Sequence, residues 1–386
     1  MPLSRFKRSF AFFDSQLRSC NFFVKRLESY MDTKPFSSGN NSSQPVVHHG
    51  VAEANEAPVS LQEWQAWGTT SPVPYMVNQV IRDLKMLEKE TDSHMTFGGN
   101  HGSLSGDFKV KEDKKHRAKY ASLGDSEEKL QFFSARQIAC RLLGSRGYLC
   151  QKCWLASEDC MCSRVTTCSL AKQLHIWLYM HPKDFLRQNN TGKLLWQVFG
   201  VHAATLCLFG ITEHEEKMWN VFQLEGRNKV WCLYPNKNAT TFSVRDIVSH
   251  SWDPERQVIT ENGDDTMNFI LIDGTWSNSN AMFRRLQDRA KLIWGNELHC
   301  ISLNIGVSSM HELRPQPSWD RTCTAAAAIG LLYELQHVQE FSSFELDKQA
   351  EAIEHSLEVL LEALTTRRLR MGRSISRRGR HNDDIC

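Results

Sequence analysis

The chain has 386 residues, and 46 Lys+Arg against 44 Asp+Glu leave a formal charge of only +2. That balance excludes a global field that would gather polyanions, so any such affinity must come from local patches. No window approaches the roughly 18 consecutive apolar residues of a membrane span, so a soluble protein is the expectation. Twelve cysteines in a chain this long, without a clean secretory signal, point to reduced thiols and metal ligation, and hence to the cytoplasm or nucleus.

Residues 1–30 are basic, aromatic and Ser-containing, which also fits an organelle transit peptide, although Asp14 and Glu28 count against it. From Thr33 to Ala57 the chain is polar, rich in Ser, Asn and Gly, and poor in aliphatics. Such a composition cannot offset the entropy of ordering, so 1–57 is expected to be a disordered or targeting segment. A helical, charged extension over 58–128 should follow. Met76, Val80, Ile81, Leu84 and Leu87 recur at helical spacing there, with Ser71 and Pro72 as the expected start. The run "KVKEDKKHRAKY" fits a solvated face or, alternatively, a phosphate-contacting one.

At Lys129 the texture turns aromatic and aliphatic, and a main domain over 129–368 is expected to open. Within it "KVWCLYPNKNA", "MNFILIDGTW" and "LHCISLNIGV" are short apolar runs that each break into a polar turn. They read as buried parallel strands of an α/β fold, whose ligands belong beyond the strands' carboxyl ends. A last amphipathic helix is predicted over about Glu345–Arg368, with Leu346, Ala350, Ile353, Leu357, Leu360, Leu361 and Leu364 on one face. The basic tail, 369–386, is expected to be disordered; holding RNA phosphates, nuclear localisation and solubility are its open roles.

"CQKCWLASEDCMC" supplies Cys150, Cys153, Cys160 and Cys162 as two close pairs. Two such pairs can converge on one tetrahedral ion, and four thiolates leave no open position, so a structural zinc that takes no part in chemistry is expected. Trp154 and Leu155 should anchor the knuckle to the core. The alternative is four thiols that never meet. Cys140, Cys207, Cys232 and Cys300 sit in apolar runs and read as core filler. "TGKLL" at Thr191 lacks the upstream glycine of a phosphate-binding loop, and no nucleophile elbow or His-Glu-x-x-His helix is present.

The knuckle, then "HPKDFLRQNNTGKLL", "LYPNKNA", Asp273-Gly274-Thr275-Trp276, and "LRPQP" with "CTAAAAIGLL" together resemble the DTW-domain proteins, the tRNA-uridine aminocarboxypropyltransferases. The resemblance covers about Ala139 to Leu335. It implies a SPOUT-like parallel sheet with knotted loops that cradle S-adenosylmethionine as co-substrate. It also implies transfer of the aminocarboxypropyl group, not the methyl, to N3 of a tRNA uridine. Where many relatives have Ser-Thr-x-Glu-Ala, this chain reads Cys323-Thr324-Ala325-Ala326-Ala327, so a carboxylate often supplied there is missing.

Three carbons flank the sulfonium, so the pocket must choose among them by orientation. The expected cofactor contacts are Tyr234, Pro235, Gly274, Thr275, Trp276, Arg314, Pro317 and Thr324. Gly274 admits close backbone approach, Trp276 offers a stacking ring and Arg314 a fork for a carboxylate. Asp273 is the expected catalytic residue, with two roles open: general base toward N3, or anchor of the cofactor's amino group. Capping the next helix with Thr275 and Ser277 is the structural alternative. His181, Lys183, Arg187, Asn190, Arg284 and Arg285 are the expected phosphate contacts to tRNA. A non-catalytic zinc-knuckle RNA-binding protein and an S-adenosylmethionine-dependent RNA methyltransferase are the competing functions; the sequence does not set the oligomeric state.

Overall fold

A computed structural model describes residues 59–98, 103–234, 242–247, 266–303 and 322–373. The first helix, α1 (Leu61–Ala66), begins where the Ser60 hydroxyl accepts the Glu63 N–H at 3.1 Å. It buries Trp64, and Trp67 follows it into the same core. Gly68, at φ +92°, lies so close to the Trp196 indole that an added Cβ would fall 2.5 Å from it. The predicted stripe forms α2 (Tyr75–Thr91), which buries Val77, Val80, Ile81, Leu84 and Leu87. It starts at Tyr75, later than expected, with Pro74 at its N-cap; a proline there forfeits no hydrogen bond that the helix needs.

A short antiparallel pair, β1 (Thr96–Gly98) and β2 (Ser103–Ser105), leads to α3 (Gly106–Ser122), which carries the charge run. Lys109, Lys111, Lys114 and Lys115 are exposed, but Glu112 is buried and, with Asp113, held by Arg136. Arg136 stands on α4 (Ser126–Ser145), which begins three residues before Lys129 because the Asp125 carboxylate accepts the Glu127 and Glu128 N–H groups at 3.2 and 3.4 Å. The extension and the main domain thus share a core: Trp64, Ile81 and Phe108 belong to the same buried cluster as Phe185 and Leu195.

The centre is a five-stranded sheet in the order β4-β3-β6-β5-β7, every pairing parallel. Its strands are β3 (Leu174–Met180), β4 (Ala204–Leu208), β5 (Val230–Leu233), β6 (Met267–Asp273) and β7 (His299–Ile301). The last three are the predicted strands. The first two were not predicted: "LHIWLYM" and "ATLCL" are mainly apolar runs covered on both faces, and one polar residue in each, His175 and Thr205, gives no period-two alternation. Successive residues alternate between two cores. Ile176, Leu178, Phe269 and Leu271 face α5 (Lys193–Phe199), α8 (Thr324–Gln336) and α9 (Leu346–Arg370). Trp177, Tyr179 and Ile270 face α6 (Thr212–Glu225) and α7 (Trp276–Trp294).

β3 leads through α5 to β4 on one side, whereas β6 leads through α7 to β7 on the other. Connections diverging from adjacent strands open a crevice at their carboxyl ends, where open α/β sheets bind ligands. Here that crevice lies between Met180 and Asp273, which are in register. The predicted last helix is α9, two residues longer than expected at its end, with Leu346, Ala350, Ile353, Leu357, Leu360 and Leu364 buried. No helix among the described residues is long and apolar enough to cross a membrane. The expected knotted loops fall mainly on 304–321, outside the described residues.

Candidate active site and metal centre

The crevice is organised by Asp273. It is 6% exposed at the last position of β6, and its parity places it on the α5/α8 face, in the row of Phe269 and Leu271. Its Oδ2 accepts the Asn190 side-chain N–H at 2.6 Å, and its Oδ1 accepts the Thr324 hydroxyl at 3.1 Å. Thr324 is the first residue of α8, so the carboxylate also meets the positive end of a 13-residue helix dipole. Helix α7 is capped differently: Thr275 is its N-cap residue but caps it with no side-chain bond, and the Thr275 hydroxyl lies 3.0 Å from that of Ser277. Both Asp273 oxygens turn to the crevice, one to Asn190 and one to Thr324.

The loop after β3, 181–192, is folded against this carboxylate. The His181 N–H donates to the Asp273 carbonyl at 2.8 Å, which extends the β3–β6 pairing by one bond. Asn190 accepts the Lys193 N–H on its Oδ1 at 3.0 Å, so one carboxamide caps α5 and orients Asp273 at once. Gly192 has no side chain because none fits: a Cβ there would sit 2.5 Å from Asp273 Oδ2 and 2.9 Å from the Leu178 methyls. The Thr191 hydroxyl accepts the Ala325 N–H at 3.3 Å, tying the loop to the first turn of α8. Thr191 and Gly192 are not marked as site residues by the sequence, because the segment lacks the upstream glycine of a phosphate-binding loop. The signal available was Asn-Thr-Gly immediately before an apolar helix.

The other expected cofactor contacts divide. Gly274 adjoins His181, Met282 and Asn278, with an added Cβ 3.2 Å from the Met282 sulfur. Trp276 opens α7 and is half-buried. Tyr234 packs its ring on Phe283 of α7, centroids 4.1 Å apart and nearly parallel, in the opposite core from Asp273. Pro235, Arg314 and Pro317 lie outside the described residues.

Among the expected phosphate contacts, Lys183 and Arg284 are exposed and Arg187 is half-buried, bound to Asp184 at 2.5 Å. Three do not fit that role. Asn190 is 3% exposed and committed to Asp273. His181 is buried, its ring stacked on Phe209 and its Nδ1 accepting the Lys183 N–H at 3.1 Å. Burial, aided by the cations of Lys183 and Arg141, pushes its pKa down to about 4 against the pull of Asp184, so it offers phosphate no charge at neutral pH. Arg285 spends its guanidinium on Glu215 and Glu127, with bonds of 2.5 to 3.0 Å. Burial works against its charge, but those carboxylates outweigh burial and raise its pKa.

Below the crevice the four knuckle cysteines converge. Cys150 and Cys162 sulfurs are 3.7 Å apart, Cys153 and Cys160 3.8 Å, Cys160 and Cys150 3.5 Å, and all four lie within 4.8 Å of one another. A tetrahedral ion with metal–sulfur bonds of about 2.3 Å has sulfur–sulfur edges of about 3.8 Å, so the donor set fits such an ion. Trp154, in the left-handed region at φ +57°, and Leu155 are fully buried, as anticipated; the Trp154 ring meets Phe185 and Trp196. The far side is stapled to α9, where Arg370 pairs with Glu158 at 2.6 Å and Arg367 with Asp159 at 3.4 Å.

Between knuckle and crevice lies Lys193, the first residue of α5 and fully buried. Its Nζ donates to the Gln188 carbonyl at 2.5 Å and stands 6.0 Å over the Trp154 ring. Burial pushes its pKa down to about 7, opposed by the thiols of Cys153, Cys162 and Cys150.

A knuckle that fits a metal ion, a carboxylate at the strand crossing and a threonine-led helix behind it therefore form one continuous unit. No solved structure matches the chain. A family model described as the DTW domain matches residues 147–369, more than half of the 386, and spans the knuckle, the crevice and α9. The chain belongs to the DTW-domain family.

Proposed function

We propose that this protein transfers the 3-amino-3-carboxypropyl group of S-adenosylmethionine to N3 of a uridine in tRNA. Membership in the DTW family, the domain family of tRNA-uridine aminocarboxypropyltransferases, supports a tRNA-modifying function. The observation that carries the finer reading is Asp273, a buried carboxylate fixed by two neutral donors at the switch point of a parallel sheet. In this reading the fold is SPOUT-like, and the four cysteines hold a structural zinc.

S-adenosylmethionine supplies an electrophilic carbon beside a sulfonium. The bond from N3 to that carbon forms as the carbon–sulfur bond breaks, methylthioadenosine leaves, and the N3 proton is lost. The chain's task is to choose one of three carbons, which it does by placement. Asp273 cannot swing, because Asn190 and Thr324 hold one oxygen each. A carboxylate so fixed recognises the ammonium of the amino-acid arm and turns that arm toward the uridine. In this reading the same carboxylate is also the acceptor for the N3 proton. Gly274 and Gly192 keep the approach clear, Arg314 takes the cofactor's carboxylate, and Lys183 with Arg284 meets tRNA phosphates. Ala326, where relatives place glutamate, leaves Asp273 the carboxylate on which this site depends.

The test uses full-length protein, bulk tRNA and S-adenosylmethionine labelled either in the amino-acid arm or in the methyl. Arm label in tRNA with no methyl label is the expected result. Methyl label alone makes the protein a methyltransferase, and binding of tRNA with neither label makes it a non-catalytic RNA-binding protein.

A further inference from the structure

A divalent ion held by four thiolates carries a net double negative charge, and burying such a charge is costly unless a cation or hydrogen-bond donors compensate it. The knuckle's outer cations are already committed. Arg164 pairs with Glu362, Arg367 with Asp159, and Arg370 with Glu158 and Asp159. Lys152, inside the knuckle, is exposed to solvent. Lys193 is different: it is fully buried, no carboxylate pairs with it among the described residues, and its amine lies over the ring of Trp154, the residue next to Cys153. The centre is open to solvent at Cys160, half-buried at Cys150 and Cys162, and buried at Cys153; a buried lysine without a carboxylate on that inner side and the anionic centre each offset the other's cost.

We propose that Lys193 is the internal counter-cation of the four-cysteine centre, and that through it the centre holds the crevice loop in place. The path is continuous. The Lys193 side chain fastens the Gln188 carbonyl, its own N–H is received by Asn190, and Asn190 orients Asp273. A closed metal site that does no chemistry thereby has a task at the crevice. Lys193 is a positioning residue, since it touches none of the reacting groups.

The test compares the zinc-loaded full chain as wild type, Lys193→Gln, Lys193→Met, Lys193→Arg, Lys152→Met and Leu194→Ala. Two readouts are followed: release of zinc to a chelating indicator, and hydrogen exchange of amides in 184–195. Lys193→Gln keeps a donor for Gln188 but not the charge. It should lose zinc about 10- to 100-fold faster, as removal of outer-shell partners does, with lower amide protection in the loop. Lys193→Met should behave alike, and Lys193→Arg should restore both readouts toward wild type. Lys152→Met should change neither. Leu194→Ala removes buried surface from the same helix, so it reports what loss of packing alone does. Wild-type zinc release from Lys193→Gln, or equally fast release from Leu194→Ala, overturns the proposal. Neither readout depends on transfer to tRNA, so failure of the transferase reading would leave this result standing.

Discussion

Glu215 and Asp273 are both buried carboxylates near the carboxyl edge of the same sheet, on opposite faces, and they are handled in opposite ways. Glu215 accepts the Tyr179 hydroxyl at 2.6 Å, the Gly210 N–H at 3.0 Å and the guanidinium of Arg285. Its charge is met by a cation that also grips Glu127, so α4, α6 and α7 are bolted together. Asp273, among its described partners, is instead steered by an amide and a hydroxyl, which fix its direction. Among the described partners, the acid closed by arginine acts as a strut and the acid held by an amide and a hydroxyl faces the crevice.

The largest effect expected from this contrast is chemical. Asp273→Asn keeps the shape but replaces an acceptor facing Asn190 with a group that can present a donor. Transfer to tRNA should fall about 100-fold or more, in the range for a lost acid–base or anchoring group, while the thermal midpoint moves little. Mass spectrometry of tRNA nucleosides and a melting curve check this, and near-wild-type transfer by a folded variant removes Asp273 from the chemistry.

The strut should show the reverse. Arg285→Met leaves Glu215 and Glu127 facing each other without their cation. Breaking one partner of a buried pair costs about 3 to 5 kcal/mol; with Arg285 a quarter exposed, about 2 to 3 kcal/mol is expected. Urea titration should register that loss as an earlier midpoint with an unchanged slope. Transfer per folded molecule should stay close to wild type, and a large loss of transfer without loss of stability would erase the distinction between the two acids.

The sequence makes part of this contrast legible. Asp273 stands out because an apolar run ends on a carboxylate followed by glycine, and the four cysteines stand out because their spacing is local. The strands β5, β6 and β7 are visible for the same reason: each breaks sharply into polar residues. The partners are not visible. Asn190 meets Asp273 across 83 residues, Thr324 across 51, and Arg285 meets Glu127 across 158. Nothing in "FRRLQ" distinguishes the arginine that faces solvent from its neighbour that faces two glutamates. The helix sets that difference, because a step of about 100° between adjacent residues turns one to the surface and the other inward. Nor does the sequence show that Gly192 yields its Cβ space to a side chain from β6, or that Lys193 runs inward between knuckle and crevice.

That pair of arginines gives the finest test. Arg284 is exposed and lies two turns beyond Trp276 on α7, whereas Arg285 is consumed by the strut. If phosphates are met only by cations that the fold leaves available, Arg284→Ala should weaken tRNA binding several-fold and lower the slope of log affinity against log salt by about 1. Arg285→Met, with binding referred to the folded fraction, should leave that slope unaltered, because its charge is already committed to Glu215 and Glu127. Filter binding between low and moderate salt separates the two. Equal slopes for wild type and Arg284→Ala would remove α7 from the tRNA-facing surface and leave Lys183, across the crevice on the 181–192 loop, as the cation to change next.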